Sequence, residues 1–204
     1  MILCDIGNTN VHLFMNGHLH IKSVHEFSNL TFNEKVYYIC VNDDLKPFLR
    51  VNKNFFDLEP YIQFDTKYVG MGIDRICACK AVHEGVVVDA GSAITVDIMK
   101  EGVHAGGYIL PGFAAYAAAY MSVSSRLKLD INRNVKLDAM PKNTKDAISY
   151  GIIKPIKLII KNSAKNRKIY FCGGDGEYLR SFFKNAVYDE MLIFRVLEKT
   201  FLSL

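Results

Sequence analysis

The feature that most constrains the fold of this chain is a strand-and-turn pattern that occurs twice. One apolar strand leads into Asp5-Ile6-Gly7-Asn8-Thr9, and a second leads into Asp89-Ala90-Gly91-Ser92-Ala93. The two aspartates lie 84 positions apart, since 89 minus 5 is 84. Because each copy is followed by further strands and helices, the pattern predicts two α+β units, residues 1–84 and 85–204, with a cleft between them.

Both copies are predicted to be β-meanders. The residues after the first turn alternate up to Asn16-Gly17, and those after the second lead to Lys100-Glu101-Gly102. An Asn-Gly pair between alternating runs is a strong hairpin signal. Little room remains for a helix between residues 27 and 35, so that element is expected to be reduced. The other patterns predict, in chain order, a strand at 36–41, a helix at 44–51, a strand at 61–64, a helix from about 73, a helix from 111, a helix at 143–163, a strand at 168–172 and helices after 176 and from about 190.

The composition fits a packed cytoplasmic protein. Half of the 204 residues are apolar, and a formal net charge of +4 gives no strong signal for nucleic acid. Five cysteines without a CxxC pair predict buried, reduced thiols. The uncharged stretch 105–125 contains Gly106-Gly107 and Pro111-Gly112, so it is interpreted as a strand end, a turn and a buried helix. Neither a membrane nor a nucleic acid is expected as a partner.

The two Asp-x-Gly turns indicate phosphate chemistry. The glycine lets a phosphate approach the backbone closely, and backbone N–H groups with nearby amide or hydroxyl side chains can donate to its oxygens. The carboxylate can lie near Mg²⁺, which prefers oxygen ligands. A single Asp-x-Gly also forms ordinary turns, so the signal is the matched pair. A Walker A loop and a GxGxxG motif are absent, which argues against P-loop and Rossmann proteins.

An ordered set of motifs also resembles the type III pantothenate kinases, the bacterial enzymes that start coenzyme A synthesis. The matching segments run from residue 5 to about 151: Asp5-Ile6-Gly7-Asn8-Thr9-Asn10, Gly72-Ile73-Asp74-Arg75, Asp89–Asp97, Gly106–Gly112, Asn143-Thr144, Ala147-Ile148 and Gly151. Each motif alone is weak, and the ordered set is specific. Two departures stand out: Ser92 occurs where most members have Thr, and the chain is shorter than is usual for the family.

The resemblance implies a fold, a reaction and partners. The implied fold is α+β (α/β), a duplicated ribonuclease-H-like or actin-like ATPase fold with a nucleotide cleft between two subdomains. The implied reaction is ATP-dependent phosphorylation of pantothenate to 4′-phosphopantothenate. Mg²⁺ and a monovalent cation, K⁺ or NH₄⁺, are implied as cofactors. A homodimer with the substrate site near the subunit interface is implied as well.

The same resemblance implies residue roles. Asp74 is expected to accept the proton, Asp89 to bind the monovalent cation and Asp5 to bind Mg²⁺. The residues expected to bind ATP are Asp5, Ile6, Gly7, Asn8, Thr9, Asn10, Gly91 and Ser92. Those expected to bind pantothenate are Tyr68, Gly72, Ile73, Asp74, Arg75 and, from the neighbouring subunit, Thr144.

The residues alone leave other interpretations of these side chains open. Asp74 and Thr144 also fit helix capping, since Asp and Thr are both favoured near helix starts. Arg75 also fits an ion pair with Asp74 or Asp65. Tyr68 also fits an ordinary core or surface aromatic.

Alternatives remain open for the whole protein too. The alanine-rich helix at 114–120 fits either a dimer interface or packing within one chain. Gly173-Gly174 after a strand fits either an adenine contact or a plain turn. The competing functions are a nucleotide-binding regulatory homologue without kinase activity and a small-molecule kinase of the same superfamily with another acceptor.

Overall fold

The computed structural model describes all 204 residues, and they pack as two compact units. The first unit combines residues 1–83, 99–106 and 189–204, and the second combines 84–98 and 107–188. The sequence repeat predicts two units that meet at residue 84. That boundary stays a prediction about where one copy of the duplication ends and the next begins. Packing adds two later segments, 99–106 and 189–204, to the first unit.

Ten strands and seven α-helices make up the chain. The first eight are β1 (Ile2–Ile6), β2 (Asn10–Met15), β3 (His18–Ser23), α1 (Val24–Ser28), β4 (Val36–Cys40), α2 (Lys46–Val51), β5 (Phe55–Asp57) and α3 (Ile73–Lys80). The others are β6 (Gly85–Ala90), β7 (Ala93–Lys100), β8 (Val103–Pro111), α4 (Phe113–Val123), α5 (Thr144–Ala164), β9 (Ile169–Cys172), α6 (Gly176–Arg180), β10 (Ala186–Tyr188) and α7 (Leu192–Phe201).

The sheet of the first unit has the order β3-β2-β1-β4-β5. β1, β2 and β3 form the predicted antiparallel meander, and β1, β4 and β5 run parallel. Asn16 and Gly17 have φ values of 54° and 78°, which confirms the predicted tight hairpin. Because parallel strands end at the same edge of a sheet, the turn after Ile6 lies beside the end of β4, where Ile6 is opposite Cys40.

The two faces of this sheet are covered by different elements. On one face Cys4 and Ile6 pack with Phe27 of the short helix α1. Side chains alternate along a strand, so Asp5 points to the opposite face. That face carries α7, which packs on β1, β4 and α3; Phe194 lies 6.0 Å from the Phe14 ring.

The sheet of the second unit has the order β10-β9-β6-β7-β8. β9 is parallel to β6 and to β10, with Asp89 opposite Cys172. The apolar face of α5 packs on this sheet through Ile152, Ile156 and Ile160, which recur every four residues. The Asn143 side chain accepts a hydrogen bond from the Asp146 N–H, so α5 begins where the sequence predicts a helix.

Three sequence predictions need correction or completion. The strand predicted at 61–64 is wrong: residues 59–61 form a 3₁₀ turn, and the edge strand is β5, in which Phe55 pairs with Val36. β10 was not predicted. The helix α4 was expected to be buried, yet only Phe113 is fully buried there. The element expected to be reduced between residues 27 and 35 is the five-residue α1, which begins earlier than predicted, at Val24.

All five cysteines are free and buried, as predicted. No helix combines the length and the apolar character that crossing a bilayer requires.

Candidate active site

The turn after β1 is held by its own backbone. The Gly7 N–H donates to the Asn10 carbonyl at 3.0 Å, and the Val24 N–H donates to the Thr9 carbonyl at 3.1 Å. A Cβ on Gly7 would lie 2.9 Å from the Asn10 carbonyl oxygen, so only glycine fits without a shift. Asp5 is buried, whereas Asn8, Thr9 and Asn10 are exposed. The turn therefore presents polar side chains on a fixed backbone.

Asp74 lies in the first turn of α3, and its carboxylate is partly buried. Its Oδ1 accepts a hydrogen bond from the Arg75 N–H at 2.7 Å. A Cβ on Gly72 would lie 2.7 Å from this oxygen, so Gly72 leaves room for the carboxylate. The contact satisfies an orphan N–H of the helix start, which is the predicted alternative role.

Burial raises the pKa of Asp74 above its ordinary value, and the Asp5 carboxylate raises it further. Asp5 Oδ2 also lies 3.7 Å from His12 Nδ1. Two carboxylates that disfavour each other's charge define a site that a cation or a proton would stabilise. The structure thus brings together Asp5 and Asp74, which are far apart in the sequence.

The raised pKa of Asp74 predicts a pH-dependent stability difference. The folded protein holds this proton more tightly than the unfolded chain, so the charged form lowers stability at neutral pH. We expect Asp74→Asn to have the higher melting temperature at pH 7. The difference should shrink as pH falls through the raised pKa and vanish below the ordinary value of 3.8, where both states are protonated. Calorimetric melting across pH measures this; a less stable variant at pH 7 would contradict it.

Arg75 and Tyr68 form the next part of the site. The buried Arg75 guanidinium lies over the Tyr68 ring, 4.7 Å from its centroid. This cation–π contact holds the two side chains against each other. Next to Tyr68 is a cavity of about 500 Å³. It is lined by Asp65, Thr66, Lys67, Tyr68, Val103, His104, Ala105 and Gly106.

In the second unit, three backbone segments converge on the turn after β6. The Gly91 N–H donates to the Ala93 carbonyl at 2.9 Å. The Gly112 N–H donates to the Ser92 carbonyl at 3.1 Å, and a Cβ on Gly112 would lie 2.5 Å from that oxygen. Gly173 has a φ of +78°, and a Cβ there would collide with Asp89 Oδ1. The turn is thus enclosed by the β8–α4 and β9–α6 junctions.

Sequence reasoning did not assign Gly112 or Gly173 to this turn. The available signal was a glycine directly after a strand in each case, within Pro-Gly and Gly-Gly pairs. That signal predicts a turn and does not say which other turn it touches. Thr144 begins α5 with an exposed side chain, and the capping predicted as its alternative is performed by Asn143.

Each unit thus has a five-stranded sheet with a three-strand meander, and an Asp-x-Gly turn follows the first strand of each meander. This is the actin-like class of fold. A crystal structure of MreB5 of Spiroplasma citri bound to ADP matches with a TM-score of 0.50 at 10% identity, covering 98% of this chain and 96% of that one. At that identity the match concerns the fold alone.

Closer relatives identify the family. The type III pantothenate kinase of Campylobacter jejuni is 50% identical over 199 residues, covering 98% of this chain and 95% of the relative. That of Helicobacter hepaticus is 43% identical over 200 residues, covering 98% and 97%. The model of the type III pantothenate kinase family matches residues 44–166. The chain belongs to the type III pantothenate kinase family, and its length matches these relatives.

A crystal structure of a Campylobacter jejuni protein is similar over the whole chain. It is described as a conserved member of the Baf family of transcriptional activators. It is 48% identical, with a TM-score of 0.91, and covers 100% of this chain and 98% of its own.

Proposed function

We propose that this protein transfers the γ-phosphoryl group of ATP to the terminal hydroxyl of pantothenate, giving 4′-phosphopantothenate for coenzyme A synthesis in the cytoplasm. The observation that carries the proposal is the pairing of Asp74 with the Asp5 turn in a chain of the type III pantothenate kinase family. A partly buried carboxylate of raised pKa, beside a polar turn on a fixed backbone, is what a hydroxyl acceptor and a triphosphate require.

Asp74 is assigned the role of proton acceptor. Phosphoryl transfer needs alignment and charge neutralisation more than covalent help from the protein. The carboxylate orients the acceptor hydroxyl toward the γ-phosphorus and takes its proton as the new P–O bond forms and the bond to the ADP oxygen breaks. The raised pKa brings Asp74 closer to the working pH and makes it a better base than an exposed aspartate.

The phosphates of ATP are assigned to the two turns. The first turn offers backbone N–H groups and side chains between Asp5 and Asn10, including Ile6 at the end of β1. The second offers Gly91 and the Ser92 hydroxyl. Ser92 keeps the hydroxyl of the Thr that most family members have, so the hydrogen bond to phosphate is retained.

An ATP-using kinase implies a divalent metal, and the residues of the first turn fit one. Asp5 offers oxygen ligands, and its charge disfavours that of Asp74, so a cation there would relieve repulsion. We assign Mg²⁺ to Asp5, where it would neutralise phosphate charge. K⁺ or NH₄⁺ is assigned to Asp89, which lies near the end of β6 beside a turn that offers carbonyl oxygens.

Pantothenate is assigned to the segment around α3. Gly72 and Ile73 precede and open the helix that carries Asp74, and Arg75 with Tyr68 forms a cationic and aromatic wall. A guanidinium suits a carboxylate or an amide carbonyl of the acceptor. Thr144 is assigned to the pantothenate site of the neighbouring subunit.

The decisive assay is ADP release by the purified protein with ATP, Mg²⁺ and pantothenate. We expect turnover that depends on pantothenate, stops when a chelator removes the divalent metal, and falls when Na⁺ replaces K⁺. NH₄⁺ should restore it. A folded protein without pantothenate-dependent turnover in any of these salts would contradict the proposal and favour a regulatory homologue or a different acceptor.

The homodimer is assigned to the uncovered face of α4. This helix carries no charge, and its alanines at 114, 115, 118 and 119 are exposed. Packing within one chain does not account for them, because only Phe113 is fully buried. Small side chains allow two helices to approach closely.

Ala118→Glu is therefore expected to convert the dimer to a monomer, since two buried carboxylates would face each other across the interface. Light scattering during gel filtration measures the mass. Lys161→Glu, an exposed charge change on α5, is the matched control and should leave the dimer intact. A dimeric Ala118→Glu protein would show that the interface lies elsewhere.

A further inference from the structure

A segment without regular secondary structure, residues 63–68, contacts both ends of α3. At one end the Lys80 ammonium donates to the Gln63 carbonyl at 2.6 Å. At the other end the Arg75 guanidinium lies over the Tyr68 ring. Because Arg75 is in the first turn of α3 and Lys80 ends the helix, helix and segment close a ring of contacts around the space between them.

The His104 imidazole packs against this segment. Its ring centroid lies 5.9 Å from that of Phe64 and 6.0 Å from that of Tyr68. Its Nδ1 lies 2.7 Å from Thr66 Oγ1. Phe64, Thr66 and Tyr68 therefore all place their side chains against the same imidazole. Two flanking aromatic rings and burial hold the imidazole in one orientation, with Nδ1 directed at the hydroxyl.

The Thr66 hydroxyl links the imidazole to the backbone of Tyr68. Besides its contact with His104, its oxygen accepts a hydrogen bond from the Tyr68 N–H at 3.1 Å. A hydroxyl has one proton and two lone pairs, so it can accept from the amide and donate to Nδ1 at the same time. This bridge fixes the backbone of Tyr68, whose side chain lines the neighbouring cavity.

We propose that Thr66, held by His104, is a positioning residue for the acceptor substrate. It fixes Tyr68, and with it the stacked Arg75, at the wall of the 500 Å³ cavity that Thr66, Tyr68 and His104 line. A wall already in its binding geometry loses less conformational freedom when a ligand binds. The inference rests on the proposed function and assigns the bridge to acceptor affinity, not to the proton transfer at Asp74.

Thr66→Val tests the bridge, because valine has the same shape and lacks the hydroxyl. We expect a roughly five- to tenfold higher KM for pantothenate, the scale of one lost hydrogen-bonded link, with kcat and the KM for ATP within about twofold of the wild type. Pantothenate titrated calorimetrically, without ATP, should bind weaker by a similar factor. Thr66→Ser keeps the hydroxyl and should keep the wild-type KM.

A second pair of variants tests the partner. The side-chain amide of His104→Asn reaches the position of Nδ1 and should retain the contact, whereas His104→Leu removes it. If Thr66 acts through His104, adding Thr66→Val to His104→Leu should not raise the KM for pantothenate further. Melting temperatures establish that each variant is folded.

The outcomes separate the two proposals. An active wild type with an unchanged pantothenate KM in Thr66→Val would overturn the positioning role alone. A lower kcat together with higher KM values for both substrates would overturn it as well, because such uniform changes would indicate general damage to the fold. A wild type that neither binds nor turns over pantothenate would overturn the proposed function, and the inference would fail with it.

Discussion

Asp74→Asn is expected to lower kcat for pantothenate phosphorylation by about 10²–10⁴-fold, the usual contribution of a positioned general base. The amide can still accept the Arg75 N–H at the start of α3, so the helix should remain intact. It cannot take the proton of the acceptor hydroxyl. Steady-state ADP release and calorimetric binding of pantothenate, measured together, separate lost chemistry from lost affinity.

The matched control is Asp44→Asn, which neutralises an exposed carboxylate of the same unit. It should leave kcat unchanged. The Asp74→Asn protein is also expected to melt at a higher temperature at pH 7. If it does, unfolding does not account for its loss of activity. An Asp74→Asn protein that retains more than about a tenth of the wild-type kcat would show that another group accepts the proton.

The second large effect concerns Gly173. An alanine there must adopt a φ of +78°, and its Cβ would lie 2.6 Å from the Ala90 carbonyl oxygen and collide with Asp89 Oδ1. Left-handed strain and overpacking against a fixed backbone together cost about 2–4 kcal/mol of unfolding free energy. Chemical denaturation of Gly173→Ala measures the loss. Activity of the remaining folded protein should also fall, because the Asp89 turn must shift.

The neighbouring glycine offers the control. A Cβ on Gly174 meets nothing within 4 Å, so Gly174→Ala should change stability by less than about 0.5 kcal/mol. Equal destabilisation by both substitutions would mean that the whole turn needs backbone freedom. If both substitutions leave the unfolding free energy unchanged, the β9–α6 junction does not pack tightly against the turn that follows Asp89.

Local signals predicted the parts of the fold that depend on neighbouring residues. Asn16-Gly17 determines a hairpin through its own backbone preferences, and Glu101 with Gly102 repeats the positive φ values, 50° and 80°. Asn143 and the apolar repeat after it determine α5 in the same way. Both meanders and the actin-like class followed from these signals and the family motifs, and the structure and comparisons confirm that class.

The sequence predictions failed where the local structure depends on residues that are distant along the chain. Phe55 is in a strand because β4 leaves an open edge beside it, and no local pattern in residues 55–57 competes with the more apolar run at 61–64. The alanines of α4 were expected to be buried because they are small and uncharged, but burial depends on what covers a helix. The burial of Asp74 and its proximity to Asp5, which together raise its pKa, likewise arise from tertiary packing.

The composition of the first unit has a consequence for synthesis on the ribosome. Its sheet is complete once β5 has been made, yet α7, which covers β1 and β4, is made only after residue 188. Between residues 83 and 189 lie about 100 residues. At a synthesis rate of about 5–20 residues per second, α7 is therefore made roughly 5–20 seconds after the rest of the sheet's unit. The second unit can close first. During that interval the nascent first unit exposes apolar side chains such as Phe14, which favours aggregation until α7 is made.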